Sequence, residues 1–262
     1  MARQPPGAAH RAKDPLFVEA AARAFRVLEV FSADPGPLSL GEIARAAGLG
    51  RSAVQRSVHT LLRLGYLRQS GPRGGVTLGL RIFDRSFDCF RSDPLFERAM
   101  PLLIELRRET DERADLSVFD DLTMLYVLRL QSRRETFRAG LAGSRIPTFC
   151  SSAGVAVLSQ LPDDEVEDIL TRSDRRRITP YTVTELPAIR EKIAVARRAG
   201  FALASQELQI GIVAVAAPVL DAGGRPVAAI HITASLADRS PQTMCRQFGP
   251  LVAEAARAAG NA

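Results

Sequence analysis

The sequence predicts a two-domain α+β chain: a small helical domain closed by a two-stranded hairpin, a linker helix, and a larger antiparallel sheet flanked by helices. Three observations predict it. Between Pro15 and Tyr66, apolar residues recur at helical spacing in three successive blocks. After Tyr66 the stretch LRQSGPRGGVTLG alternates weakly around a Gly/Pro/Arg tip, as a hairpin does. Beyond Pro94, helical blocks mix with β-rich runs, and residues 212–220 are apolar on both faces, so helices must cover their sheet. At 262 residues, 46% of them apolar, the chain is long enough for two cores.

The first block, residues 15–32, places Phe17, Ala21, Ala24, Phe25, Leu28 and Phe31 on one side. Asp34-Pro35-Gly36-Pro37 ends it. The next two blocks form SLGEIARAAGLGRSAVQRSVHTLLRLGY, residues 39–66. Leu40, Ile43, Ala44 and Ala47 give a short helix one buried stripe, and Gly48 is placed to close it in the left-handed conformation. A second helix starts near Arg51-Ser52, where Ser52 can cap its first amides. Val54, Val58, Leu61 and Leu62 face inward, leaving Arg51, Ser52, Gln55, Arg56 and His59 on the outer side. A buried aliphatic stripe beneath a basic, polar outer face suits a DNA major groove. It also suits an ordinary solvated hairpin of helices.

Charge distribution favours the first reading. The net charge is +6, and residues 1–80 hold 11 Arg and Lys against 5 Asp and Glu. Residues 81–262 hold 24 of each sign. Between Ile43 and Phe83 there are seven arginines and no acidic residue, the footprint of a polyanion-binding module. Three helices followed by a basic hairpin describe a winged helix-turn-helix over residues 15–78, with Arg73 at the wing tip in reach of phosphate or minor groove. Residues 1–14 read as a disordered arm. Residues 79–93 form a linker helix with Leu80, Phe83, Phe87 and Phe90 on one stripe, suited to packing against a second subunit.

From residue 94 to the end the pattern predicts helices at 95–110, 151–160, 163–171, 185–199 and 241–259. Two strands turn at Asp120-Asp121, and three more follow the fourth helix, FALASQ, IVAVAAPVL and RPVAAIHITAS. This is a GAF-like sensory architecture. Cys89, Cys150 and Cys245 are odd in number and dispersed, which implies no disulfide framework and fits a reducing cytoplasm. No apolar run approaches membrane-spanning length, and the amphipathic basic helix of a membrane-surface protein is missing.

Two ordered, separated blocks carry a family resemblance. RAFRVLEVFS, SLGEIARAAGL, RSAVQRSVHTLLRLGYL and VTLG form the first; AGFALASQELQIGIVAVAAPVLDAGGRPVAAIHITAS forms the second. Over nearly its full length the chain resembles the IclR family of bacterial transcriptional regulators. The resemblance implies a winged helix-turn-helix joined to an effector-binding domain, acting as a homodimer or dimer of dimers on double-stranded operator DNA. The chain departs from the family pattern at Ala53, Val76, Val155 and Gln206. None of these changes removes a charge from the DNA-facing helix.

By the same resemblance, an effector pocket is lined by Ser152, Ala153, Ala204, Ala214, His231 and Thr233. Relatives that take very small oxo-acids tend to carry Asp at the position of Ala204 and Ser at that of His231. Here the pocket is less polar and gains an imidazole, able to donate a hydrogen bond to a carboxylate. A satisfied core histidine is the plain alternative. Cys150, in RIPTFCSSAGVAVLS, and the stretch TPYTVTEL are similar to regulators of aromatic-acid catabolism. The expected effector is therefore a small carboxylate, with Arg129 or Arg145 as a candidate partner and a surface position as the default for each.

Two rivals stand beside this reading. Cys150 and His231 are a conceivable nucleophile and base, yet no GxSxG, HExxH, GxxxxGK[ST] or paired-Cys spacing accompanies them, and neither metal nor cofactor is called for. Alternatively, the second domain only oligomerises a constitutive DNA-binding protein.

Overall fold

The computed structural model describes residues 14–71, 74–132 and 142–260. The chain divides between Ser92 and Asp93 into two compact units. Among the described residues no helix is long and apolar enough to cross a membrane.

In the first unit, α1 (Glu19–Glu29) runs into a short 3-10 turn over Val30–Ser32. Its buried residues are Val27 and, in that turn, Phe31, while Phe25 is 65% exposed. The stripe drawn through Phe25 was therefore misplaced: two residues from Val27 is about 200° around a helix. Helix α2 (Leu40–Ala47) opens on a capping box. The Ser39 N–H donates to Glu42 Oε2 at 2.8 Å, and the Glu42 N–H returns a bond to Ser39 Oγ at 3.3 Å. The first of these bonds lowers the Glu42 pKa. Leu40, expected in the buried stripe, is half-exposed because it opens the helix; Ile43 alone is fully buried. Gly48 closes α2 at φ +62°, the left-handed region glycine adopts without strain.

Helix α3 (Arg51–Arg63), separated from α2 by three residues, buries Val54, Val58 and Leu61. Its N-cap is Gly50, not Ser52. The Gly50 carbonyl accepts from the Ala53 and Val54 amides, so the helix has begun before Ser52 and that side chain stands exposed in its first turn. Strands β1 (Leu67–Gln69) and β2 (Val76–Leu78) pair antiparallel with Leu67 opposite Leu78. Leu38, ahead of α2, pairs with Val76 through two backbone bonds and completes the hairpin's inner edge. Arg73, expected at the wing tip, lies outside the described residues, as do residues 1–13. The unit ends in α4 (Arg81–Ser92), which buries no residue.

The second unit begins with α5 (Pro94–Thr110), capped by the Asp93 carboxylate on the Leu95 amide. Strands β3 (Arg113–Asp120) and β4 (Thr123–Leu130) turn through Asp121 at φ +55°. A three-residue strand β5 (Arg145–Pro147), too short to show periodicity, precedes α6 (Ser152–Leu158), α7 (Asp163–Arg172) and α8 (Leu186–Ala199). Then come β6 (Ala202–Ser205), β7 (Ile212–Leu220) and β8 (Pro226–Ser235). The closing helix, expected as one piece, is three: α9 (Pro241–Thr243), a π turn over Met244–Phe248, and α10 (Gly249–Gly260).

All six strands pair antiparallel in the order β5-β4-β3-β8-β7-β6. Both faces are covered. On one, Leu103, Leu116, Val215, Ile230 and Val252 pack between the sheet, α5 and α10. On the other, Met124, Phe149, Val157, Leu170 and Ile189 pack beneath α6, α7 and α8. Gly154 sets the seat of α6, since a side chain there would lie 2.0 Å from the Thr148 carbonyl oxygen. The second face is not filled to its edge, and the space left over is the site described next.

Candidate DNA interface and effector pocket

Helix α3 presents Arg51, Ser52, Gln55, Arg56 and His59, all exposed, along one side. At about 100° per residue these five positions fall within an arc of roughly 140°. The opposite side carries the buried Val54, Val58 and Leu61. Among the described residues no carboxylate pairs with any of the five, and the helix has no side-chain cap.

The pocket arises from the cross-strand registers of the sheet. One row runs Ala202, Ala216, His231, Asp115 and Arg129, each directly opposite the next. The adjacent row runs Ala204, Ala214, Thr233 and Arg113. Opposite side chains stand about 5 Å apart on one face. Ala204 and Ala214 at one end, with His231, Arg113 and Arg129 at the other, leave a cavity of about 250 Å³. Ser151 and Ser152 close it from the start of α6, and residues 206–209 from the loop before β7.

Its polar floor is one carboxylate held by two arginines. Asp115 is fully buried, accepts hydrogen bonds from Arg129 Nε and Nη2, both at 3.2 Å, and forms an ion pair with Arg113, whose Nε lies 3.2 Å away without hydrogen-bond geometry. The Arg129 side chain is 8% exposed, so the surface position taken as its default is corrected. A β-bulge explains its direction. In an undisturbed hairpin Leu128 stands opposite Asp115, and Arg129 faces the apolar side of the sheet. The register shifts between Leu116 and Ser117, which skips Val127 and turns Arg129 into the cavity. Its guanidinium lies 3.7 Å from the centre of the Tyr126 ring, a cation–π contact. Arg145 belongs elsewhere, bonded to Asp120 and Thr123 at 2.7 Å each.

His231 lines the cavity and is 1% exposed. Its Nδ1 is 3.9 Å from the Asp115 carboxylate and its Nε2 has no hydrogen-bond partner among the described residues. Burial pushes its pKa down to about 4; Asp115 opposes that shift, while Arg129 and Arg113 add to it. The ring is neutral at physiological pH. Burial raises Tyr126 above the usual phenol range.

Of the residues expected in the pocket, Ser152, Ala204, Ala214, His231 and Thr233 line it. Cys150 and Ala153 do not: both are fully buried in the core behind it, one on each side of the Ser151-Ser152 edge. Burial pushes the Cys150 thiol up to about 12, with Glu207 adding to the shift, so no thiolate is available at neutral pH. The TPYTVTEL threonines buttress the pocket from outside. Thr179 Oγ1 donates to the Gln206 carbonyl and Thr182 Oγ1 to that of Glu207, each at 2.7 Å. The Glu207 carboxylate is held by the Val183 amide and by Lys192 Nζ. Sequence reasoning did not assign Asp115, Arg113 and Tyr126. Their signal was a charge inside an apolar strand run, which has to be paired if the strand is buried.

A helix-turn-helix unit followed by a sheet domain covered by helices on both faces defines a transcriptional regulator. Residues 20–71 match the IclR helix-turn-helix domain and residues 88–260 match the bacterial transcriptional regulator IclR C-terminal domain. The chain belongs to the IclR family of transcriptional regulators, which are DNA-binding proteins and not enzymes. It is 26% identical to the Pca regulon regulatory protein of Pseudomonas putida, over 93% of this chain and 84% of that one. With the p-hydroxybenzoate hydroxylase transcriptional activator of Acinetobacter baylyi it shares 27% identity, over 94% and 92%. An IclR homolog from Microbacterium hydrocarbonoxydans, crystallised with 4-hydroxybenzoate, superposes with a TM-score of 0.78 at 26% identity, over 92% and 97% of the two chains.

Proposed function

We propose that this chain binds a pseudo-palindromic operator as a dimer or dimer of dimers, and that a small carboxylate, an aromatic acid, occupies the cavity and alters that binding. The observation that carries the effector class is the floor of the cavity. Arg113 and Arg129 both line the cavity above the buried Asp115, and a pair of guanidinium groups is the usual partner of a ligand carboxylate. Ile146, Ala204, Leu208, Ile212 and Ala214 give the otherwise polar cavity an apolar wall that suits a ring. The 4-hydroxybenzoate bound by the Microbacterium homolog supports the same class.

Arg51, Ser52, Gln55, Arg56 and His59 enter the major groove in this reading, with Arg73 of the wing on phosphate or minor groove. The symmetry mate is a second copy seated on α4. Phe83 and Phe87 of that helix are 71% and 63% exposed and Leu80 just before it is 74% exposed, an apolar stripe that a lone chain leaves in water.

A thermal-shift series tests the effector class. Benzoate and 4-hydroxybenzoate are expected to raise the melting temperature saturably, because a ligand at 100 times its Kd stabilises by about 2.7 kcal/mol. Benzamide, of the same shape without the charge, is expected to raise it far less. A flat response to both acids overturns the effector assignment and leaves the second unit an oligomerising role.

A further inference from the structure

We propose that Arg63, in the last turn of α3, holds a DNA phosphate at the rim of the major groove, so that one helix supplies both base-reading and positioning contacts. The inference rests on the reading above that α3 enters the groove, and adds a residue to it. Seven arginines lie between Ile43 and Phe83. Arg51, Arg56 and Arg73 already have a place on DNA. Of the other four, Arg45 belongs to α2 and Arg68 to β1. Arg81 lays its stem over the Gly65 turn, 3.8 Å from where a side chain on that glycine would begin. Arg63 alone of these four belongs to α3.

Its direction follows from the helix. At about 100° per residue, counted from Arg51, the buried Val54, Val58 and Leu61 centre near roughly 310° and Arg63 falls at about 120°. Arg63 is thus within about 10° of directly opposite the buried stripe, inside the arc spanned by Arg51, Ser52, Gln55, Arg56 and His59. The residue is exposed, and among the described residues no carboxylate pairs with it.

Its distance along the helix sets what it can touch. At 1.5 Å per residue, Arg63 stands about 18 Å from Arg51 and about 6 Å beyond His59. The major groove is about 12 Å wide. With the first turns of α3 against base edges, the last turn lies past the width of the groove, where phosphate oxygens are the groups on offer. A guanidinium on a long stem suits them. The plain structural alternative is a cation placed to favour the helix dipole at the C-terminal end of α3. That role leaves the salt dependence of DNA binding untouched; a phosphate contact does not.

The test is DNA affinity of the full chain, measured by fluorescence anisotropy from about 50 to 200 mM salt. The probes are a labelled fragment of its own upstream region and an unrelated duplex of equal length; the proteins are native, Arg63→Ala, Arg63→Lys and Arg56→Ala. Loss of one phosphate contact is expected to lower the slope of log affinity against log salt by about 0.9, so the advantage of native protein over Arg63→Ala shrinks about 3.5-fold across that range. Both duplexes are expected to show it alike. Arg63→Lys is expected to keep the native slope, because a point charge serves a phosphate. The melting temperature of Arg63→Ala is expected to stay within the range of ordinary surface changes; Arg63→Gln takes its place should it fail to fold. An unchanged slope in Arg63→Ala, with Arg56→Ala weakened on the upstream fragment, overturns the inference and leaves the groove reading standing. So does a loss confined to the upstream fragment, the signature of a base contact, and so does a slope that Arg63→Lys fails to keep. Binding unchanged in both Arg56→Ala and Arg63→Ala removes the groove reading, and this inference with it.

Discussion

Asp115→Ala is expected to destabilise the second unit by about 3–5 kcal/mol, because it leaves two guanidinium groups buried without their shared carboxylate. The Arg129 side chain is 8% exposed and that of Arg113 is 11% exposed, so neither can recover its hydration by small movements. For a unit of this size the loss corresponds to a fall of roughly 10 °C in melting temperature. Asp115→Asn, which keeps the shape and one acceptor, is expected to lose less. The same variant carries a second expectation. A ligand carboxylate can take the vacated place between the two arginines, so a saturating acid is expected to recover part of the lost stability in Asp115→Ala. Thermal melts with and without benzoate measure both effects. A fall of only a degree or two means that the charge cluster is not what organises the pocket floor.

The second large effect falls on DNA. Arg56→Ala is expected to weaken operator binding by about 1–3 kcal/mol, or roughly 5- to 150-fold, if the side chain is bidentate to a guanine edge. Arg56 is exposed one turn into α3, at one edge of the face it forms with Arg51, Ser52, Gln55 and His59. Substitution there removes no buried contact, so the melting temperature is expected to stay within the range of ordinary surface changes. A specific contact also differs from a phosphate contact in its signature. Loss of Arg56 is expected to relax discrimination at one base pair, whereas loss of a phosphate contact weakens all sequences alike. Footprinting on the upstream region of its own gene reads the effect. An unchanged footprint removes Arg56 from the interface.

Much of this was legible in the chain. The α2–α3 pair shows in its periodicity and in the break at Gly48-Leu49-Gly50, because each helix buries one stripe and exposes the other. Errors came where one residue of offset changes the face: Phe25 was placed inward although Val27 is the buried position, and Leu40 was counted in a stripe that it only introduces. In the pocket, Ala204, Ala214, His231 and Thr233 sit at alternate positions of three paired strands, so the family pattern that supplies one supplies its neighbours. Cys150 and Ala153 failed because they sit beside the pocket edge but turn into the core. The Asp115–Arg129 pair was hidden for a geometric reason. Its two halves lie 14 residues apart, and only the bulge that skips Val127 brings them onto one face. A bulge leaves little trace in hydrophobic alternation.

In the proposed function the pocket and the DNA-binding helix form one switch. Its most direct test is the affinity of the full chain for a labelled fragment of its own upstream region, measured by fluorescence anisotropy with and without saturating 4-hydroxybenzoate. Coupling between two sites in such proteins is typically worth about 1–3 kcal/mol. The predicted result is an operator Kd shifted at least roughly fivefold by the acid, with the shift lost in Arg56→Ala only because specific binding is lost. An operator Kd unchanged to within twofold, on a protein that the same acid demonstrably stabilises against heat, contradicts it.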